Sequence, residues 1–212
     1  MIEDLEEAII EGARAVIDSD DHDLPAGARH AIWSCLGDHA SKEGPVTLGQ
    51  IRRYELAKIT VRKVLPFWQK YFPAEKIEEI LVKGDDVLAG RLSRADARKL
   101  YEKYQACDED LLSGPESTED AANAVLVCSA ATGALYVALW DERFNSWELD
   151  PKLPNNSIDP FEFDAALTAS IVYANGGPWD RGSDPIKRRD FWLWWLKEAV
   201  PAAASVSAAP KK

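Results

Sequence analysis

The sequence predicts an all-α fold: about eight helices in one compact, irregular bundle, with a mostly buried, tryptophan-rich helix near the C-terminus. Three observations carry this. Apolar residues recur at three- and four-residue steps along almost the whole chain. Capping residues and prolines fall at helix starts, and glycine or asparagine at helix stops. The stretch "RRDFWLWWLKEAVP", residues 188–201, is apolar around most of a helical circumference, which places it between other helices. With 46% apolar and 29% charged residues, the chain can bury a core of ordinary size.

The elements follow in order. Ile2, Leu5, Ile9, Ala13, Val16 and Ile17 form the stripe of a first helix. Pro25 opens a second, with Ala28, Ile32, Cys35 and Leu36 on one face and Gly27 and Gly37 weakening it. Thr47 and Gln50 have capping-box spacing at the start of a long third helix, which Pro66 should kink or end. Pro73 begins a fourth, with Ile77, Ile80 and Leu81 inward, and Ser93 caps a fifth through Cys107. "DEDLLSGPEST" then reads as a loop. "EDAANAVLVCSAATGALYVALWDE" reads as a buried, alanine-rich helix; a strand over "AVLVC" is the competing assignment, and length favours the helix. Residues 143–158 break the pattern and are the candidate functional loop or subdomain seam. Asp159–Pro160 and Asp184–Pro185 read as cap and first-turn pairs of the last two helices, with Asn175 or Gly176 stopping the first of them. The reading is one domain over residues 1–200 and a disordered tail over 201–212.

The net charge of −11 argues against nucleic acid as a ligand, since phosphate binding needs clustered Lys and Arg. The charge is uneven: residues 1–23 hold nine acidic side chains and one basic, residues 42–103 nine acidic and fourteen basic. A negative field favours basic partners and speeds their encounter. Two acidic runs are the candidate contacts, Asp18, Asp20, Asp21 and Asp23, and Asp108, Glu109 and Asp110. Most such runs are simply solvated turns. The three cysteines are scattered and read as small buried hydrophobes of a reducing compartment, so a cytoplasmic protein is expected. The acidic start is unlike a signal peptide, and no apolar stretch is expected to approach the ~18 residues of a membrane span.

Chemistry-bearing motifs are few. His22, His30 and His39 lack metal-pair spacing, and no phosphate loop, dinucleotide fingerprint or nucleophile elbow occurs. No catalytic, cofactor or metal residue can be nominated. Asp159, Glu162 and Asp164 lie close enough for a paired acid–base site, though capping and the helix dipole explain them more simply.

The stretches "LPAGARHAIW", "LAKITVRKVLPFW", "DPFEFDAALTASIVYANGGPW" and above all "RRDFWLWWLKEAVP" resemble a mostly α-helical family of predicted immunity proteins from bacterial polymorphic toxin systems. The resemblance covers most of residues 24–201. It implies an intracellular antidote that binds and occludes the toxin domain made by the same cell or its kin. Matching positions are Trp68, Asp159, Asp164, Trp179, Arg189, Trp192, Trp195 and Glu198, read as architecture. Trp179, after the "NGGP" turn, is the one expected to be partly exposed, and Arg189 the one expected to meet a carboxylate across a helix interface. A basic toxin, such as a nuclease, would suit the charge. The other readings are a helical scaffold or adaptor unconnected with toxins and, behind it, an enzyme working through carboxylates.

Overall fold

The computed structural model of the chain describes residues 2–41, 44–113, 119–141, 144, 146–159 and 163–207. These hold α1 (Ile2–Asp18), α2 (Ala26–Cys35), α3 (Leu48–Trp68), α4 (Glu75–Leu88), α5 (Arg94–Ser113), α6 (Glu119–Trp140), α7 (Ala165–Ala174), α8 (Pro185–Trp194) and α9 (Val200–Ala204). A π-turn, Trp195–Ala199, joins α8 to α9 without a break, so the helices form eight rods, as expected. No strand occurs among the described residues. The "AVLVC" segment lies inside α6, with Val125, Val127 and Cys128 buried.

Helix α6 is the axis of the fold, and α3, α4, α5 and α7 pack around it. Its alanines explain the crowding: Ala124, Ala130, Ala131, Ala134 and Ala138 are buried and let neighbouring backbones approach. Here the structure corrects the membrane expectation. Ala121–Trp140 is long and apolar enough to cross a bilayer by length and composition. Two-thirds of that span is instead buried against the rest of the chain, so a central core helix passes the same test as a membrane helix.

Local signals set most boundaries. Thr47 Oγ1 accepts from the Gln50 N–H at 3.0 Å, and Ser93 and Asp96 form a cap at α5. The capping box at Thr47 is only half made, because the Gln50 side chain donates to the Val137 and Ala138 carbonyls at the end of α6. The Val137 carbonyl also accepts from the Asp141 N–H at 3.0 Å, and the buried Gln50 amide adds a donor to the last turn of α6, where backbone carbonyls run short of them. Helix α3 runs two residues past Pro66, α4 begins at Glu75 rather than at Pro73, and α5 continues to Ser113, into the expected loop, whose residues 114–118 lie outside the described ones. Asn175 takes the left-handed conformation, φ 57°, that ends α7.

Where α2, α3 and α6 meet, Arg53 closes the joint. It is fully buried, donates to both carboxylate oxygens of Asp141 at 2.7 and 2.8 Å, and covers the Trp33 carbonyl in the last turn of α2 and the Gly37 and Asp38 carbonyls beyond it. Asp141 also accepts from the Ala40 N–H.

The aromatic C-terminal helix is core. Phe191, Trp192, Trp195 and Leu196 are all 0% exposed, and Trp195 Nε1 donates to Thr60 Oγ1 at 3.0 Å. Trp33 and Trp68 are also buried, Trp140 and Trp194 half-buried, and only Trp147 and Trp179 largely exposed. Residues 201–204, expected to belong to the tail, instead continue the helix as α9, and Ala203 is buried; residues 208–212 of the expected tail lie outside the described residues.

Candidate partner-binding surface

The acidic run after α1 divides in two. Helix α1 ends at Asp18, and His22 turns the chain through φ 52° with Nδ1 2.9 Å from the Val16 carbonyl oxygen. Asp18, Asp20 and Asp21 face solvent. Asp23 does not, which corrects its place among the contact candidates. One oxygen accepts from the Trp192 indole N–H at 2.9 Å, and the other from the Asn155 side-chain amide. Burial pushes its carboxyl above the usual range, partly offset by the Arg29 charge and these two hydrogen bonds. A tryptophan and an asparagine in the core need an acceptor, and Asp23 is bent inward to supply it.

Beneath this turn lies a second buried clamp. Arg29 donates from Nε and Nη2 to Asp164 Oδ2 at 2.9 and 2.7 Å, and from Nη1 to the Leu24 carbonyl and the Asn155 side chain. Its guanidinium lies 5.6 Å from the Trp192 ring centre. The other Asp164 oxygen accepts from the Ala166 and Leu167 N–H groups, both at 2.8 Å. Burial alone would raise the Asp164 carboxyl; the Arg29 charge and the helix N–H groups outweigh it and hold the carboxyl below the usual range. Asp164, not Asp159, is therefore the cap of α7, which starts at Ala165. Asp159 is exposed five residues earlier, and Pro160 and Glu162 lie outside the described residues. Asn155, in the irregular segment, ties that segment to the clamp. Sequence reasoning passed over Arg29 and Asn155; the signal available was an arginine inside an otherwise apolar helix, "AGARHAIW".

The α7–α8 loop, residues 175–184, is tightly laced. Asp180 Oδ2 accepts from the Gly177 N–H at 2.7 Å, Ser183 Oγ donates to the Asp180 carbonyl, and the Asp184 N–H donates back to Ala174. Asp184 caps α8 with Pro185 in its first turn, as read from the sequence. Trp179 stands out of this loop 48% exposed, with Phe163 5.8 Å from its ring centre. A Cβ on Gly177 would come within 2.5 Å of the indole, so only glycine allows the ring to lie over that backbone.

One arginine joins loop and turn. Arg188, 1% exposed, donates from Nη1 to the Asp21 carbonyl and from Nη2 to the Gly176 carbonyl, each at 3.0 Å. The sequence reading gave the interface role to Arg189. That side chain is half-buried and, among the described residues, pairs with its neighbour Asp190 alone, at 3.3 Å. One residue turns a helix by ~100°, enough to exchange core for surface.

Other candidates lie elsewhere. Asp108, Glu109 and Asp110 fall on the last turns of α5, and their side chains lie outside the described residues. Glu198 is exposed on the π-turn. Trp68 is buried and donates to the Pro73 carbonyl. On α1, Ile10 and Ile17 are exposed, 52% and 57%, so Ile17 leaves the predicted stripe. A shallow cleft of about 380 Å³ opens between the ends of α3 and α7, lined by Phe67, Lys70, Tyr71, Tyr173 and Lys187. Among the described residues no group of three or more His, Cys, Asp or Glu could hold a metal ion.

Residues 10–202 match the family described as immunity protein Imm5. No curated protein matches the chain.

Proposed function

Because the chain belongs to the Imm5 family of immunity proteins, we propose that it binds a cognate bacterial toxin domain and neutralises it by covering its working surface, without catalysis of its own. Family membership over residues 10–202 carries this reading. The partner is a protein with a basic contact face; a nuclease, whose own substrate is an anion, would have one. The support is electrostatic. The net charge is −11, and exposed carboxylates gather on the outer side of α1 and the turn after it, at Glu6, Glu7, Glu11, Asp18, Asp20 and Asp21. Such a face steers a basic partner and weakens with salt. The protein works in the cytoplasm of the producing bacterium, within a polymorphic toxin system, where the toxin would otherwise reach its target.

The test is capture of the tagged protein from its host at low and high salt, with mass spectrometry of what is retained. One dominant partner carrying a compact toxin domain, held more weakly at high salt, is the expected result. A diffuse set of partners, or a stable oligomer of this chain alone, would replace the immunity reading with that of a scaffold.

A further inference from the structure

The turn after α1 and the α7–α8 loop are far apart in sequence, yet Arg188 holds a carbonyl of each on a single guanidinium. They therefore form one patch. Burial lowers the pKa of Arg188, and the charges of Asp23, Asp21, Asp180 and Asp184 nearby offset part of that. Trp179, 48% exposed, stands on the loop side of the patch, over Gly177 and next in sequence to Asp180. Its loop is already fixed by the Asp180, Ser183 and Arg188 hydrogen bonds, so docking would order little that is not ordered beforehand. Asp20 makes no hydrogen bond or ion pair among the described residues, and Asp21 uses one oxygen only, with Ser19 and the Asp23 N–H.

We propose that this patch is the docking surface for an arginine presented by the partner protein, its guanidinium stacked on Trp179 and its N–H fork turned to the carboxylates of Asp20, Asp21 and Asp180. Arginine fits better than lysine. It is planar, stacks on indole, is more weakly hydrated and offers paired donors to carboxylates. A half-exposed tryptophan amid carboxylates supplies both contacts, whereas carboxylates alone would attract any cation. The identity of the partner as a toxin rests on the immunity reading; the chemistry of the patch does not.

The experiment is a titration of the full chain with capped tetra-arginine, tetra-lysine and tetra-glutamate peptides. The readout is the indole N–H resonance of Trp179, assigned by its loss in W179F. A saturable shift with tetra-arginine is expected, weaker with tetra-lysine and absent with tetra-glutamate. W179A and the double variant D20N/D21N should each bind tetra-arginine about tenfold more weakly or worse while keeping the parent fold, since these side chains are exposed. A Trp179 resonance that stays still while others move, or W179A binding that equals the parent's, overturns the proposal. With a captured toxin domain in hand, equal affinity for W179A would sink the patch and leave the immunity reading standing. If no toxin domain is retained, that reading falls and the peptide titration still decides the patch.

Discussion

Asp20 and Asp23 stand three residues apart in the same acidic run and do opposite things. Asp20 is in water with no partner among the described residues. Asp23 is buried between Trp192 and Asn155, within reach of the Arg29 and Arg188 charges. The difference shows that an acidic run is not a unit. Whether a carboxylate builds the fold or waits for a partner depends on what the chain brings beside it. Here Asp23, Asp141 and Asp164 each meet a buried arginine or a tryptophan N–H, while Asp20 has no partner among the described residues and Asp21 keeps one oxygen open to solvent.

The largest expected effect falls on the buried side of this contrast. Replacing Arg29 with methionine leaves the Asp164 carboxylate buried without its cation, which should cost about 3–5 kcal/mol in denaturant-induced unfolding. R53M should cost a similar amount, since Asp141 loses both arginine contacts and the carbonyls beyond α2 lose their donor. If either variant unfolds at the parent's denaturant midpoint, the clamps are ornaments and the contrast collapses.

Next comes pH, where the two buried carboxylates should move stability in opposite directions. Asp164 is held below the usual range in the folded state, so its contribution is present above ~pH 4 and lost as pH falls through its folded value. Asp23 is pushed above that range, so the folded state binds its proton more tightly than the unfolded state. Its contribution is present below ~pH 4 and is lost as pH rises through the folded value. Stability curves of D164N and D23N against pH should therefore differ from the parent with opposite slopes. Parallel curves would contradict the assigned environments. At neutral pH, W192F, which removes the indole donor to Asp23 and some buried area, should cost about 1–3 kcal/mol by the same unfolding measurement.

The smallest effect on stability is expected on the exposed side. D18N, D20N and D21N should each change unfolding free energy by no more than about 0.5 kcal/mol. Their effect belongs to association: the on-rate for a basic toxin domain should fall and depend less on salt, as stopped-flow mixing would report. A large stability loss in D20N would erase the distinction between the two ends of the run.

Much of the fold was legible because its signals are local. Asp184–Pro185, Thr47, Ser93 and Asn175 act within a few residues of themselves, and each is found at the boundary it marks. The aromatic helix was legible because no surface accommodates so apolar a circumference. The clamps were not. Arg29 meets Asp164 across 135 residues, Arg53 meets Asp141 across 88 and Arg188 meets Asp21 across 167. Nothing in a stretch such as "IRRYE" or "IKRRD" says which arginine turns inward. Asp159 was chosen as a cap over Asp164 because it precedes a proline; a partner 135 residues upstream makes Asp164 the better placed. The candidate contacts were half legible for the same reason: exposed Trp179 follows from its turn, but its tie to the Asp21 turn exists only in three dimensions.

The π-turn at Trp195–Ala199 has a consequence for how this helix can be lengthened or trimmed. A π-turn holds one residue more than the α-turn it replaces, so the chain beyond it is advanced by a residue without leaving the rod. That extra residue resets the phase by ~100° and brings Val200 and Ala203 round to the side already taken by Trp192 and Trp195. The helix thus behaves as two inward-facing stripes spliced out of step. Deleting the exposed Lys197 should convert the splice to plain α-helix and keep Val200 and Ala203 against the core, leaving the tryptophans where they are. Deleting a residue upstream, within α8, would instead carry Phe191 and Trp192 off their partners.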